Sequence, residues 1–345
     1  MQASSASTEK TTEYRVGQWV EVRTAEEIMA TLDDKGDVDA LPFMPEMLQY
    51  CGRRLRVGKV ANKVCDTMTR SGMRRMENAV HLMGVRCDGS SHSGCQAACL
   101  IYWKTDWIKP ADGPGDSAEP IEADHKVFVQ LTERAQVIAP DGSDVYRCQA
   151  TEILRAAPEV LPLLDFGQYA QDIRTGNAGI RAVSRAFLVG FFNRYQQFSA
   201  RKLPKWLRIR GGLTWGFLRG SEGPTPTGRT DLQPGELVRV KSKEEIMKTL
   251  NTDLLNRGLG FDAEMARFCG QTARVLRRID TIVDENTGKM LRMKSPCIVL
   301  EGVVCEGAFS ANCPRAITAY WREIWLERVE PAEPVRGLER EAATA

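Results

Sequence analysis

Apolar and polar residues alternate in short bursts along this chain, and the bursts come in pairs. Trp19–Arg23 (WVEVR) reads as a half-buried strand, and Leu237–Lys241 (LVRVK) repeats it 218 positions later. Each is followed by a hydroxyl residue with a glutamate three places on, Thr24 with Glu27 and Ser242 with Glu245. That is a capping box, so a helix of two to three turns is expected through EEIMATL and EEIMKTL. A second short helix is expected from Pro45 to a C-capping glycine at Gly52, with its counterpart ending at Gly270. Alternating runs follow at Arg53–Val60 and Asn78–Val85, and again at Thr272–Ile279 and Ser295–Val303. These read as strands of a small barrel or strongly bent sheet.

The offset holds without a gap from Gly17–Pro110 onto Gly235–Arg328. It matches Cys51-Gly52 with Cys269-Gly270, Tyr102-Trp103 with Tyr320-Trp321 and Trp107 with Trp325. A repeat of this length sets the expected fold class. It is α+β, with two duplicated small β-barrel-like, SH3-type modules carrying short helical insertions and flanking a mainly helical middle segment. The expected organisation is a tail at 1–15, a first module at 16–112, a linker and basic middle segment at 113–230, a second module at 231–330 and a tail at 331–345.

In the middle segment, Val127–Leu131 and Val145–Cys148 are expected to pair across the turn at Pro140–Gly142. From Thr151 the pattern becomes helical. Ile180, Val183, Phe187, Phe191 and Tyr195 share one face of a helix, with Arg181, Arg185 and Arg194 toward another. Charge changes the picture here. Residues 173–221 hold ten Arg or Lys and no Asp or Glu, although the whole chain is only +2. The flanking parts are therefore acidic, and docking of the basic segment onto them is expected.

With 43% hydrophobic and 27% charged residues the composition is that of an ordinary globular protein. No apolar run has the length of a membrane span, and MQASSASTEKTTEYR lacks an apolar signal core. A cytoplasmic protein is expected, in which ten cysteines point to metal binding rather than disulfides.

The first copy offers His81, Cys87, Cys95 and Cys99, with His92 inside the loop. A short helix would aim Cys95 and Cys99 at one point. The second copy offers Cys297, Cys305 and Cys313, with Val299 in place of His81 and Ile317 in place of Cys99. Wide, unequal spacing without CxxC pairs favours an iron–sulfur cluster, of the 4Fe-4S kind, with zinc as the alternative. Three ligands in the second copy leave an open position, the arrangement of a reactive site. The expected function is a redox enzyme, a metal- or iron–sulfur-dependent oxidoreductase, acting on a small molecule; its partner is expected to be that small-molecule substrate or a redox partner protein. The other reading is a non-catalytic scaffold of zinc-stabilised binding modules. No catalytic or substrate-binding residue is assigned. Glu46 with Glu264, and Asp66 with Asp284, are acids kept in both copies; the glutamates are expected to favour a helix dipole. No P-loop, GxGxxG, HExxH or GxSxG element occurs, and no RRM, KH or helix-turn-helix signature calls for nucleic acid.

Overall fold

Alternation predicts strands, and strands of both repeats align in antiparallel sheets. The computed structural model describes residues 13–115 and 125–329, and in it the chain is mixed α and β with few helices. The expected tails beyond 12 and 329, and much of the expected linker, lie outside the described residues.

In the first module five strands lie side by side, in the order Leu100–Lys104, Ala79–Arg86, Arg54–Val60, Trp19–Val22 and Ile108–Pro110. In the second the order is Met290–Leu300, Thr272–Val283, Leu237–Val240 and Leu326–Arg328. The registers match residue for residue. Trp19 faces Arg56 as Leu237 faces Arg274, and Val20 faces Pro110 as Val238 faces Arg328. One slip of register would turn every core side chain outward, so this agreement follows from which residues are apolar.

Both capping boxes form. Thr24 Oγ1 accepts from Glu27 N at 3.2 Å and Glu27 Oε2 from Thr24 N at 2.8 Å, and Ser242 with Glu245 repeats the pair at 3.3 and 3.0 Å. The helices are shorter than expected, Ala25–Met29 and Lys243–Met247. Thr31 and Thr249 each donate to the carbonyl three residues back, at 2.7 Å, and close the helix after one turn. The next segments are 3₁₀ turns, Pro45–Tyr50 and Met265–Phe268. The first of them carries Glu46 inward to 4% exposure. Gly52 and Gly270 follow with φ of 72° and 80°, the left-handed stop that glycine takes without steric cost.

Each core centres on aromatic edges. Phe43 packs on Trp103 and Trp107 with centroids 6.3 and 5.2 Å away, and Phe261 on Trp321 and Trp325 at 6.3 and 5.4 Å. All four tryptophans are buried completely.

The middle segment corrects one expectation. Val127–Leu131 is not a strand but part of a helix, His125–Ala135, and the hairpin pairs Gln136–Ile138 with Asp144–Tyr146. Leu131 and Ala135, four apart, lie on the helix face that reaches the first core, so burial decides for the 3.6-residue period. Cys148, Ile153 and Ala157 join the same core, and Val160–Leu161 pairs with Met73–Arg74. Farther on, Lys63 and Asp172 form a fully buried ion pair at 2.6 Å. A 23-residue helix, Ile180–Lys202, then runs over a second small cluster with Tyr169 and Val183.

Candidate functional site

The site grows from one loop. After the strand Ala79–Arg86 the chain turns at Gly89, where φ is 76°, and His92 N and Gly94 N both donate to Gly89 O. A Cβ on Gly89 would lie 2.1 Å from Cys95 O, so the loop needs glycine there for space as well as for φ. Cys87 N donates to Cys99 O at 2.9 Å and ties the loop's ends together. The second module builds the same turn: Ser310 N and Asn312 N donate to Gly307 O, and Cys305 N to Ile317 O at 2.8 Å.

This loop sets Cys87 and His92 against Glu46. The Cys87 thiol donates to Glu46 Oε1 at 3.2 Å, and its Sγ lies 3.3 Å from His92 Nε2. Ser91 donates to Glu46 Oε2, and its Oγ lies 3.2 Å from His92 Nδ1. One ligand atom from each of Glu46, Cys87 and His92 falls within 4.8 Å of the others. It is the one such three-ligand group among the described residues. Glu46 and His92 are buried, and Cys87 nearly so.

The electrostatics of the group are unbalanced. Burial and then the Glu46 charge push the Cys87 thiol far above its ordinary range, while burial pulls His92 down. Among the described residues no cation pairs with Glu46; its partners are a thiol and a hydroxyl. The equivalent Glu264 differs. Arg267 pairs with it at 3.0 Å and Phe309 N donates to it at 2.9 Å. Arg267 stands where the first module has Gln49, and Ser310 stands where it has His92. The same buried carboxylate thus has a guanidinium beside it in one module and none in the other.

The cluster opens on a cavity of about 290 Å³ walled by both modules. Glu46, Cys87, His92 and Tyr102 line one side, and Arg315 and Tyr320 the other. The Tyr102 hydroxyl is buried and has no hydrogen-bond partner. Burial also pushes the Tyr320 hydroxyl up.

The other residues expected at a metal are placed as follows. His81 is 1% exposed, its Nδ1 lies 2.8 Å from Ile101 O, and its ring packs against Tyr102 at a tilt of 53°; its Nε2 has no partner. It lies outside the Glu46–Cys87–His92 group. No helix forms over residues 95–99, because Ala98 takes a left-handed φ of 48°. Cys95 and Cys99 both line the cavity, and Cys95 Sγ accepts from Val283 N at 3.2 Å across the module boundary. Cys313 does the reciprocal thing, accepting from Cys65 N at 3.2 Å. Cys305 Sγ accepts from Gly307 N at 3.4 Å, and Cys297 is buried among Ile279 and Val299 with the Arg322 guanidinium 3.6 Å from its sulfur. Among the described residues, Cys297, Cys305 and Cys313 do not form a three-ligand group.

Glu46, expected from the sequence to favour a helix dipole, lies instead against Cys87 and His92. Its one signal was recurrence as Glu264, at the start of a short turn in both copies. Asp66, kept with Asp284, is a turn acid instead: it accepts from Thr69 N at 2.8 Å, Ser71 Oγ at 2.6 Å and Arg74 Nε at 3.1 Å. Comparison with family models, with curated proteins and with solved structures finds no match.

Proposed function

We propose that Glu46, Cys87 and His92 hold one divalent cation, and that the chain is a metal-dependent enzyme whose small-molecule substrate enters the cavity between the modules. The observation that carries this is the buried Glu46 carboxylate with no cation beside it, where its counterpart Glu264 has Arg267. A buried carboxylate is costly unless paired, and a metal ion supplies the charge that arginine supplies in the second module. One oxygen, one nitrogen and one sulfur donor suit a borderline cation such as zinc better than an iron–sulfur cluster, which takes thiolates. Three protein ligands leave a position free, and the cavity reaches it. A cation bound there supplies Lewis acidity and lowers the pKa of a bound water to about 7.

The chain's own residues then have roles. Ser91 fixes the Glu46 carboxylate and faces His92 Nδ1, which sets the ring's orientation as outer partners of ligating histidines do. Tyr102 offers an unused hydroxyl to a polar group of the substrate. The apolar remainder of the wall excludes water.

The same reading takes the two modules as copies of one SH3-type unit, of which the first kept the ion site. Matching registers and matching loop hydrogen bonds support it. A structural ion is the second reading, favoured by Arg267, which fills the equivalent place without chemistry. Metal analysis of the purified protein tests the first claim: one equivalent is expected, and Cys87→Ser should lower it to near zero. A Cys87→Ser protein of full metal content would end the proposal. Removal of the ion with a chelator should lower the melting temperature under either reading. The two separate at the ion's free position, since an ion that keeps an open position takes up an added anion such as azide, seen as a change in the cobalt spectrum, and a closed structural ion does not.

A further inference from the structure

The long helix Ile180–Lys202 is covered on one side only. Val183, Ala186 and Val189 are buried, Tyr169 packs edge-on against Phe187 at 5.5 Å, and Gln196 Nε2 donates to Ile209 O and Leu213 O. Of the five residues expected on the docking face, Val183 is buried and Phe187 half-buried, while Ile180, Phe191 and Tyr195 are exposed. The other side faces solvent with Ile180, Leu188, Phe191, Tyr195 and Phe198, and just beyond the helix Trp206 is 81% exposed. At 3.6 residues per turn these five helical residues fall within about 80° of arc.

Arginines flank that stripe on both edges. Arg181 and Arg185 follow it on one side and Arg194 and Arg201 on the other, all exposed. Arg174 pairs with Glu13 at 2.7 Å, but among the described residues none of these four arginines has a carboxylate partner. No acid occurs anywhere in residues 173–221, beside ten bases. Apolar residues between two rows of unpaired cations are the pattern of a helix that lies in a membrane interface. Its apolar stripe sinks among acyl chains while arginine stems reach back to the headgroups.

We infer that this face, Leu188–Phe198 with Trp206, docks on the surface of an anionic phospholipid bilayer. The helix lies along that surface; no helix among the described residues is long and apolar enough to cross a membrane. Two alternatives fit less of the surface. Single-stranded nucleic acid would use the cations and the rings but leave Ile180 and Leu188 in water. A second copy would set each row of arginines against another row. A bilayer covers the aliphatic residues, takes Trp206 at the headgroup level and matches the charge.

The experiment is sedimentation of the full-length protein with vesicles of phosphatidylcholine alone, or mixed with phosphatidylserine, followed by tryptophan emission. Binding to the phosphatidylserine vesicles, with a blue shift, is expected at low salt and should fall steeply as salt rises. Arg194→Gln with Arg201→Gln should weaken it about thirtyfold, at about 1 kcal/mol for each charge. Leu188→Ser with Phe198→Ser should abolish the blue shift attributable to insertion. All four side chains are solvent-exposed, and circular dichroism verifies that the variants fold. Absence of binding to phosphatidylserine vesicles overturns the proposal, as does binding that both double variants retain. Capture of a single-stranded oligonucleotide without vesicle binding assigns the face to nucleic acid instead. A dimer in light scattering that Leu188→Ser with Phe198→Ser disperses assigns it to a second copy.

Discussion

Thr67 donates its hydroxyl hydrogen to Glu285 Oε2 at 2.5 Å, and the two residues are the same position of the two modules, 218 apart. Contact between positions 218 apart is the pattern that an isologous interface also gives. Other contacts obey it. Val283 N reaches Cys95 as Cys65 N reaches Cys313. The cavity next to Glu46 exists because the modules face each other in this way.

Arg315 is the buried cation of that interface, donating to Thr67 Oγ1, Cys65 O and Glu285 Oε1. Arg315→Met leaves a carbonyl and a carboxylate without it, and should cost about 3 kcal/mol of stability in urea unfolding. Arg239→Met removes an exposed pair with Glu327 and should cost about 0.5 kcal/mol or less. Equal costs for the two would contradict the interface described above.

Lys63 and Asp172 should behave as a pair. Burial pulls Lys63 down and Asp172 up, each against the attraction of the other, so desolvation outweighs their mutual attraction. Lys63→Met alone strands a buried carboxylate and should destabilise by about 3–5 kcal/mol. The double variant Lys63→Met, Asp172→Leu should recover most of that loss in thermal unfolding.

His81 makes stability depend on pH. Burial lowers its folded pKa to about 4, against an ordinary 6.5. Between those values the unfolded chain binds a proton that the folded chain refuses. Its contribution is therefore fully present above pH 6.5 and is lost as pH falls toward 4, by about 3 kcal/mol in total. Denaturant titrations of wild type and His81→Gln across that window should diverge by this amount; parallel curves would show that His81 takes up its proton as readily in the fold as in the unfolded chain.

Local and periodic features were legible in the sequence, and features made by distant segments were not. The register of Trp19–Val22 and Leu237–Val240, both capping boxes and the Trp103/Trp321 core follow from alternation and short spacing. Val127–Leu131 misled because five apolar-rich residues fit either period until a partner surface is known. His81 looked well spaced for Cys87, but the strand between them slips register around Gly84, whose φ is 75°. Glu46 lies 41 residues from its thiol partner, and only the 3₁₀ turn brings it inward. The cavity wall comes from both modules, so no single stretch could announce it.

The second module should be convertible. Its loop repeats the backbone hydrogen bonds of the first; it has Ser310 for the histidine and Phe309 for Ser91, and it carries the extra arginine. Arg267→Gln with Ser310→His should raise metal content from one equivalent to two, whereas Ser310→His alone should not. Unchanged content in the double variant would mean that Arg267 is not what stands in for the ion.

Cobalt titration of the metal-stripped protein, read by visible absorption, addresses the central claim most directly. Saturation at one equivalent is expected, with a thiolate-to-cobalt charge-transfer band that Cys305→Ser keeps and that Cys87→Ser abolishes. Glu46→Gln and His92→Ala should each weaken binding at least tenfold. Saturation at two equivalents, or a band that survives Cys87→Ser, would contradict a single ion held by Glu46, Cys87 and His92.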